Sequence, residues 1–285
     1  MEGIITRLDD LFAKTHPGIR FTYVKSDSLA AVNSLMFDTS ALAPSGIDYP
    51  SSLTYTDIVH GPPFSIRVAH GSLLPDAEVS PLVVIVNRAN PVNRLTMNQV
   101  SAIFSQTRRA PVISHWSQAG IQGELANEQI HPYGLPWSDH YFSQDPDFAS
   151  FFFAGKLHNA PPVERYGMLT SYAAVVRAVA ADPSSIGVAS AGSIDSTVKV
   201  VAISQGGFDA PMSATRSAIA GGRYPLDRYL RIYGRVVDGR PLDPLVKEYM
   251  RMVLSPQGQQ IIASGPEGYI PLSALERQEE LAKLP

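Results

Sequence analysis

The sequence predicts an α/β protein. Three features carry that reading: an opening helix–strand–helix–strand rhythm, a continuously apolar strand at Leu82–Val86, and long amphipathic helices between strands. From Gly3 to Thr15, Ile4, Ile5, Leu8, Leu11 and Phe12 fall at helical spacing. His16-Pro17-Gly18 stops that helix, because Pro disfavours helical backbone in the residue before it and Gly frees the chain. Ile19–Val24 then reads as a strand, and Ser26-Asp27-Ser28 as a turn whose side-chain oxygens can cap a helix from Leu29 to Met36. A short strand near Thr39–Ala43 ends at Pro44-Ser45-Gly46. The rhythm predicts a largely parallel sheet.

Further along, Ser65–Ala69 is a strand candidate, and Pro81–Asn87 is a stronger one. Its core, Leu82-Val83-Val84-Ile85-Val86, is unbrokenly apolar, as a strand covered on both faces should be. Leu95–Phe104 reads as a helix, with Thr96 or Asn98 as its cap. Gly120–Glu128 is loop-like and Ile130–Tyr133 a short strand. Asp147–Phe153 and Tyr172–Ala181 read as helices, the second broken by Asp182-Pro183. Ile186–Ala189, Val198–Ile203 and Tyr229–Tyr233 read as strands. Leu242–Leu254 is an amphipathic helix carrying Leu245, Tyr249, Met252 and Val253 on one stripe.

Composition narrows the function. A chain of 285 residues can build one large or two modest domains, and its 45% hydrophobic and 17% charged content is that of a globular protein. A net charge of −3, with no basic run beyond Arg108-Arg109, argues against a nucleic-acid partner. No apolar stretch approaches the roughly 18 residues a membrane span needs. The absence of cysteine excludes thiolate-ligated zinc, iron–sulfur clusters, thiol catalysis and disulfides. The seven histidines show no i, i+4 metal spacing. Neither a G-x-S-x-G elbow nor a phosphate loop occurs, and Ser138-Asp139-His140 are too close in sequence to form a catalytic relay. The expectation is a protein that is not an enzyme and that uses neither cofactor nor metal.

Six ordered motifs then bear on the family. Pro81–Phe104 runs strand, Asn-Pro, Leu-Thr helix, Ile-Phe. Trp116 through Ile130 leads into His131-Pro132-Tyr133-Gly134, and Val175–Ala189 runs helix, Asp-Pro, Ile-Gly strand. Gly222-Arg223-Tyr224-Pro225-Leu226, Leu254-Ser255-Pro256-Gln257-Gly258-Gln259 and Gly268-Tyr269-Ile270-Pro271-Leu272 complete the set. Each is weak alone, but together, over nearly the whole chain, they resemble the phosphate-binding protein family of ABC transporters. The resemblance implies a two-lobed, periplasmic-binding-protein-like (type II) fold. One lobe would comprise residues 1–78 and 205–285, and an inserted lobe residues 79–204. The hinge crossings would lie near 76–81 and 200–206, with the ligand cleft between the lobes.

The same resemblance implies a monomeric solute-binding protein, periplasmic or secreted, that captures a small ligand such as phosphate or a related oxyanion for ABC-type uptake or sensing, with an ABC permease as partner. The alternative is a scaffold or signalling module on the same fold that has lost phosphate binding. Family members open with a strand and a Gly/Ser-rich loop, whereas Met1 stands at the start of the first helix. The expectation is a reading frame that extends upstream through that strand to a signal peptide. Ser26, Asp27, Ser28 and Ser45 match the ligand turns of the first lobe, and Trp137, Ser138, Asp139 and His140 those of the second. Two family arginines have no counterpart: Leu135 stands in one place and Ile47 follows Ser45-Gly46 in the other. Hydroxyls and backbone N–H groups would therefore carry the oxyanion, and phosphate binding should be weak.

Overall fold

The computed structural model describes residues 2–24, 28–37, 40–46, 64–75, 77–107, 110–137, 143–145, 147–206, 209–235 and 241–285. The first elements are α1 (Glu2–Thr15), α2 (Ser28–Met36), β1 (Leu42–Ser45) and β2 (Phe64–His70). Next come β3 (Leu82–Asn87), β4 (Arg94–Thr96), α3 (Met97–Phe104), β5 (His131–Gly134) and a π-helix (Ala149–Lys156). They are followed by β6 (Gly167–Met168), α4 (Tyr172–Ala181), β7 (Ser185–Ser190), β8 (Val198–Val200), β9 (Ala202–Ser204) and α5 (Arg216–Ala220). The last are β10 (Tyr229–Gly234), α6 (Pro244–Val253), α7 (Pro256–Ser264), β11 (Ile270–Pro271) and α8 (Ala274–Ala282).

These elements form two compact units, Met1–Val79 with Arg228–Pro285, and Ser80–Asp227. The second division falls at 227/228, beyond the 204/205 expected from sequence. Residues 205–227 are held to the second unit by local bonds. Ile203 and Met212 exchange backbone hydrogen bonds of 2.8 Å, Leu82 N–H donates to Leu226 O at 3.0 Å, and the Tyr224 hydroxyl donates to Leu82 O at 2.8 Å.

In the second unit the main sheet has the order β6-β5-β7-β3-β8. β5 runs parallel to β6 and β7, but β3 lies between β7 and β8 and runs against both. The sheet is therefore mixed, not largely parallel. Every residue of β3 and of β7 is buried, as the unbroken apolar run of β3 foretold. α4 lies directly on β7: a Cβ on Gly187 would stand 2.8 Å from methyls of Val175 and Val179. Thr96 caps α3 in a reciprocal capping box with Gln99, settling which of the two candidates caps it. The run read as one strand over Val198–Ile203 divides at Val201, β8 pairing with β3 and β9 with β4. The segment read as an ordinary helix at Asp147–Phe153 is wound as a π-helix, closed by an i→i−5 bond from Leu157 N–H to Phe152 O at 2.9 Å.

In the first unit the sheet order is β1-β10-β2-β11, with every ladder antiparallel. Ile4, Leu8 and Phe12 of α1 bury against Ile66 and Val68 of β2, Ile232 of β10, and Tyr249 and Met250 of α6. Ile19–Val24, expected as a strand, pairs with no ladder among the described residues. Its aromatic residues turn toward the helices instead: Phe21 meets Phe12 and Tyr249, and the Tyr23 hydroxyl donates to the buried Asp9 carboxylate at 2.5 Å. The Tyr249 hydroxyl donates to the other Asp9 oxygen at 2.6 Å. Burial raises the Asp9 carboxyl above its usual range against the pull of these two bonds, and burial with the adjacent carboxylate pushes the Tyr23 hydroxyl up to about 12.

Sequence reading did not find α8, although Ser273-Ala274-Leu275-Glu276 is a capping-box pattern, and Ser273 and Glu276 do cap each other. Glu276 and Glu280, one turn apart, face β2. Glu280 is ion-paired with Arg67, and Glu276 accepts from the fully buried His70 ring at 3.2 Å. Burial alone would raise the Glu276 carboxyl, but bonds from His70 and Ser273 outweigh it and hold the group at about 2. Its folded pKa lies below the ordinary value of 4.5, so its contribution to stability is complete above that pH and is lost as pH falls toward about 2. Glu276→Gln is expected to cost about 2 kcal/mol near neutral pH and to flatten the acid limb of the stability curve. Urea titrations across that range check it, and parallel curves for the two proteins contradict it.

Candidate functional site

In a doubly covered sheet the strand interiors are sealed, and only the loops leaving the strand ends can meet a ligand. The second unit sends β5 and β6 out side by side. Gly134 is the register partner of Met168, and Leu169 N–H donates to Gly134 O at 2.9 Å. A Cβ on Gly134 would overlap the Tyr166 hydroxyl, which instead donates to Leu135 O at 2.8 Å. Burial raises the Tyr166 hydroxyl well above its usual range, so it stays a neutral donor.

Beyond that point Trp137 is 38% exposed, its ring set edge-on to Phe153 at 6.5 Å. Phe153 in turn meets Tyr166 at 5.4 Å. Met168, at the end of β6, is 56% exposed. The chain from β6 runs directly into α4, two of whose N-terminal donors are engaged. Ala174 N–H bonds the Ser171 hydroxyl at 3.2 Å, and Tyr172 N–H bonds the Gln144 side-chain oxygen at 2.9 Å. The Tyr172 hydroxyl donates to the Asp145 carboxylate at 2.6 Å. This end of the unit thus presents two apolar side chains beside a carboxylate.

The sequence-derived positions fall unevenly on this frame. Ser45 is fully buried as the last residue of β1, followed by Gly46, where a Cβ would overlap Val79. Ser28 begins α2. Trp137 is exposed at the β5 exit, while Ser26, Asp27, Ser138, Asp139 and His140 lie outside the described residues. Trp116 is fully buried, its indole N–H donating to Ser184 O at 3.0 Å, which makes it a packing residue. Leu135, at the place where the family resemblance puts an arginine, has no exposed surface. The nearby Arg165 donates to the carbonyls of Ile130 and Ile113 at 2.9 and 2.7 Å, at the opposite end of β5, so it is spent on the backbone. Sequence reading missed Met168, Gln144, Asp145 and Ser171. Only Ser171 had a local signal, a hydroxyl just ahead of an apolar helical run.

A depression of about 580 Å³ lies along α6 in the first unit, lined by Pro244, Lys247, Glu248, Arg251 and Met252. Its charges are mixed and no strand ends there. Among the described residues no cluster of metal-ligating side chains occurs, and no helix is long and apolar enough to cross a membrane.

Two units, each packing helices on a β-sheet, make up the fold. The PBP superfamily domain matches residues 2–257, and the chain belongs to that superfamily. It is 29% identical over 212 residues to the phosphate-binding protein PstS of Pseudomonas aeruginosa, in two strains. That alignment takes in 72% of this chain and 62% of the relative, so the chain spans less than two thirds of the length of the curated relatives it matches. An ABC-type phosphate transport receptor from Vibrio cholerae shares the fold, with a TM-score of 0.61 at 19% identity over 94% of both chains. PstS from Borrelia burgdorferi does so with a TM-score of 0.57 at 17% identity over 95% of both.

The burial of Leu135 yields a direct test. Leu135→Arg is expected to destabilise the fold by about 3 kcal/mol or more, by placing an unpaired guanidinium in the core, and to add no oxyanion affinity. Chemical denaturation with a parallel phosphate titration measures both. A stable variant that gained phosphate binding would show that position 135 faces the ligand.

Proposed function

We propose that this chain is a solute-binding module that captures a small oxyanion, phosphate or a related anion, for ABC-type uptake or sensing. The observation that carries the reading is superfamily membership over residues 2–257, in company with relatives named as phosphate-binding proteins. The paired exits of β5 and β6 support it, since ligands of α/β sheets bind at the carboxyl ends of parallel strands. The ligand positions on this reading are Ser26, Asp27, Ser28 and the buried Ser45 in the first unit and Trp137, Ser138, Asp139 and His140 in the second. On this reading the chain holds its ligand without transforming it. It works as a monomer, periplasmic or secreted, and its partner is an ABC permease.

A second reading, a scaffold or signalling module on the same fold that has lost phosphate binding, draws on one observation. Leu135 is wholly buried where an arginine would grip the anion. A charge-assisted hydrogen bond contributes roughly 1.5–3 kcal/mol against about 0.5–1.5 for a neutral one, so a site without arginine holds phosphate weakly.

Thermal unfolding against a panel of phosphate, sulfate, phosphonates and carboxylates separates the two. Ligand at a hundred times its Kd stabilises by about 2.7 kcal/mol, which moves the Tm by several degrees. At least one oxyanion is expected to do so, with phosphate acting only at high concentration, and Ser28→Ala combined with Ser138→Ala should shrink the shift. No shift anywhere on the panel would favour the scaffold. Micromolar phosphate affinity untouched by the double variant would show that the ligand positions are wrong.

A further inference from the structure

We infer that the solute is an oxyanion carrying a flat apolar body, an aryl phosphonate or phosphate monoester in chemical class, with Trp137 and Met168 forming the platform for that body. The inference rests on the solute-binding reading above and names the substrate class of the same site. Three observations converge on it.

The first is apolar exposure at adjoining strand exits. Most large apolar side chains of the second unit are buried, yet Trp137 and Met168 are 38% and 56% exposed. They stand on adjoining strand exits, tied together by the Gly134–Met168 register pair and the Leu169-to-Gly134 bond. The second is support from beneath. Trp137 rests edge-on against Phe153, which continues through Tyr166 at 5.4 Å and Phe148 at 6.1 Å, so the exposed ring sits on a packed aromatic base. A supported aromatic ring presents its contact surface at little cost in side-chain entropy.

The third concerns charge. Inorganic phosphate is charged on every side and needs donors all round. Here Leu135 is buried, Arg165 is committed to two carbonyls, and two N-terminal donors of α4, the N–H groups of Tyr172 and Ala174, are taken by Gln144 and Ser171. The Asp145 carboxylate at the same helix end accepts the Tyr172 hydroxyl. Among the described residues this edge gives a second anionic face little to bind, and it gives an apolar face two side chains. A ligand with one oxyanion end and one aryl end removes that conflict, because only its apolar end need meet Trp137 and Met168.

Isothermal calorimetry on the full chain, at a pH where both anions are doubly charged, compares inorganic phosphate with phenylphosphonate. Phenylphosphonate is expected to bind at least tenfold more tightly. Trp137→Ala should abolish that preference, and Trp137→Phe should keep most of it. Met168→Ser, which does not depend on the Trp137 variants folding, should reduce the preference several-fold. Equal affinity for the two anions, or a preference that survives both Trp137→Ala and Met168→Ser, overturns the inference while the solute-binding reading stands. Binding of neither anion overturns the inference, and the reading beneath it falls only if the wider anion panel is silent as well.

Discussion

The second unit depends on one constraint: β3 and β7 pair along their length with every side chain of both strands buried. A strand sealed on both faces can carry no chemistry along its length, so whatever the unit binds must meet it where the chain leaves the sheet. The same constraint explains the close fit of α4, because Gly187 lets Val175 and Val179 lie directly on β7. It also explains why the 205–227 segment belongs to this unit. The start of β3 needs cover, and Leu226 and Tyr224 supply it through hydrogen bonds to Leu82.

The first unit meets its constraint with polar anchors. Asp9 is buried and shared by two tyrosine hydroxyls, which draws the extended Ile19–Val24 segment onto α1 and α6 in place of a sheet edge. Buried charge is tolerated only when it is bonded, and Asp9 is bonded at both oxygens. On the far side of the unit α8 docks by the same logic, with Glu280 against Arg67 and Glu276 against His70. These contacts join residues more than two hundred positions apart in the chain, so the C-terminal helix is held to the central β2 strand chiefly through ionisable groups.

How much of this was legible beforehand follows from the range of each signal. Local patterns read true: the apolar run of β3, the Tyr172–Ala181 helix and the Thr96 cap depend on neighbours a turn or less away. Strand direction did not, because whether β3 runs with or against β7 is settled by a partner a hundred residues off. Ile19–Val24 has strand-like composition, yet its aromatic residues found better packing on helices than on a ladder. Sequence reading singled out the exit of β5 as a place for ligand contacts, and of the residues it named there the structure describes Trp137, which is exposed. Met168 and Asp145 join it only through pairing across the sheet and a tyrosine hydroxyl on α4, and no sequence motif marks either. The missing arginine was visible as Leu135, and the structure adds that this position belongs to the core.

Hydrogen exchange on the full chain, with and without saturating phenylphosphonate, tests most directly whether these strand exits are where the solute binds. Slowed exchange is expected in peptides covering residues 134–137 and 168–172, with the interior of β3 unchanged because it is already protected. Protection confined to the α6 depression around Lys247 and Arg251, with the β5 and β6 exits unaffected, would contradict the account.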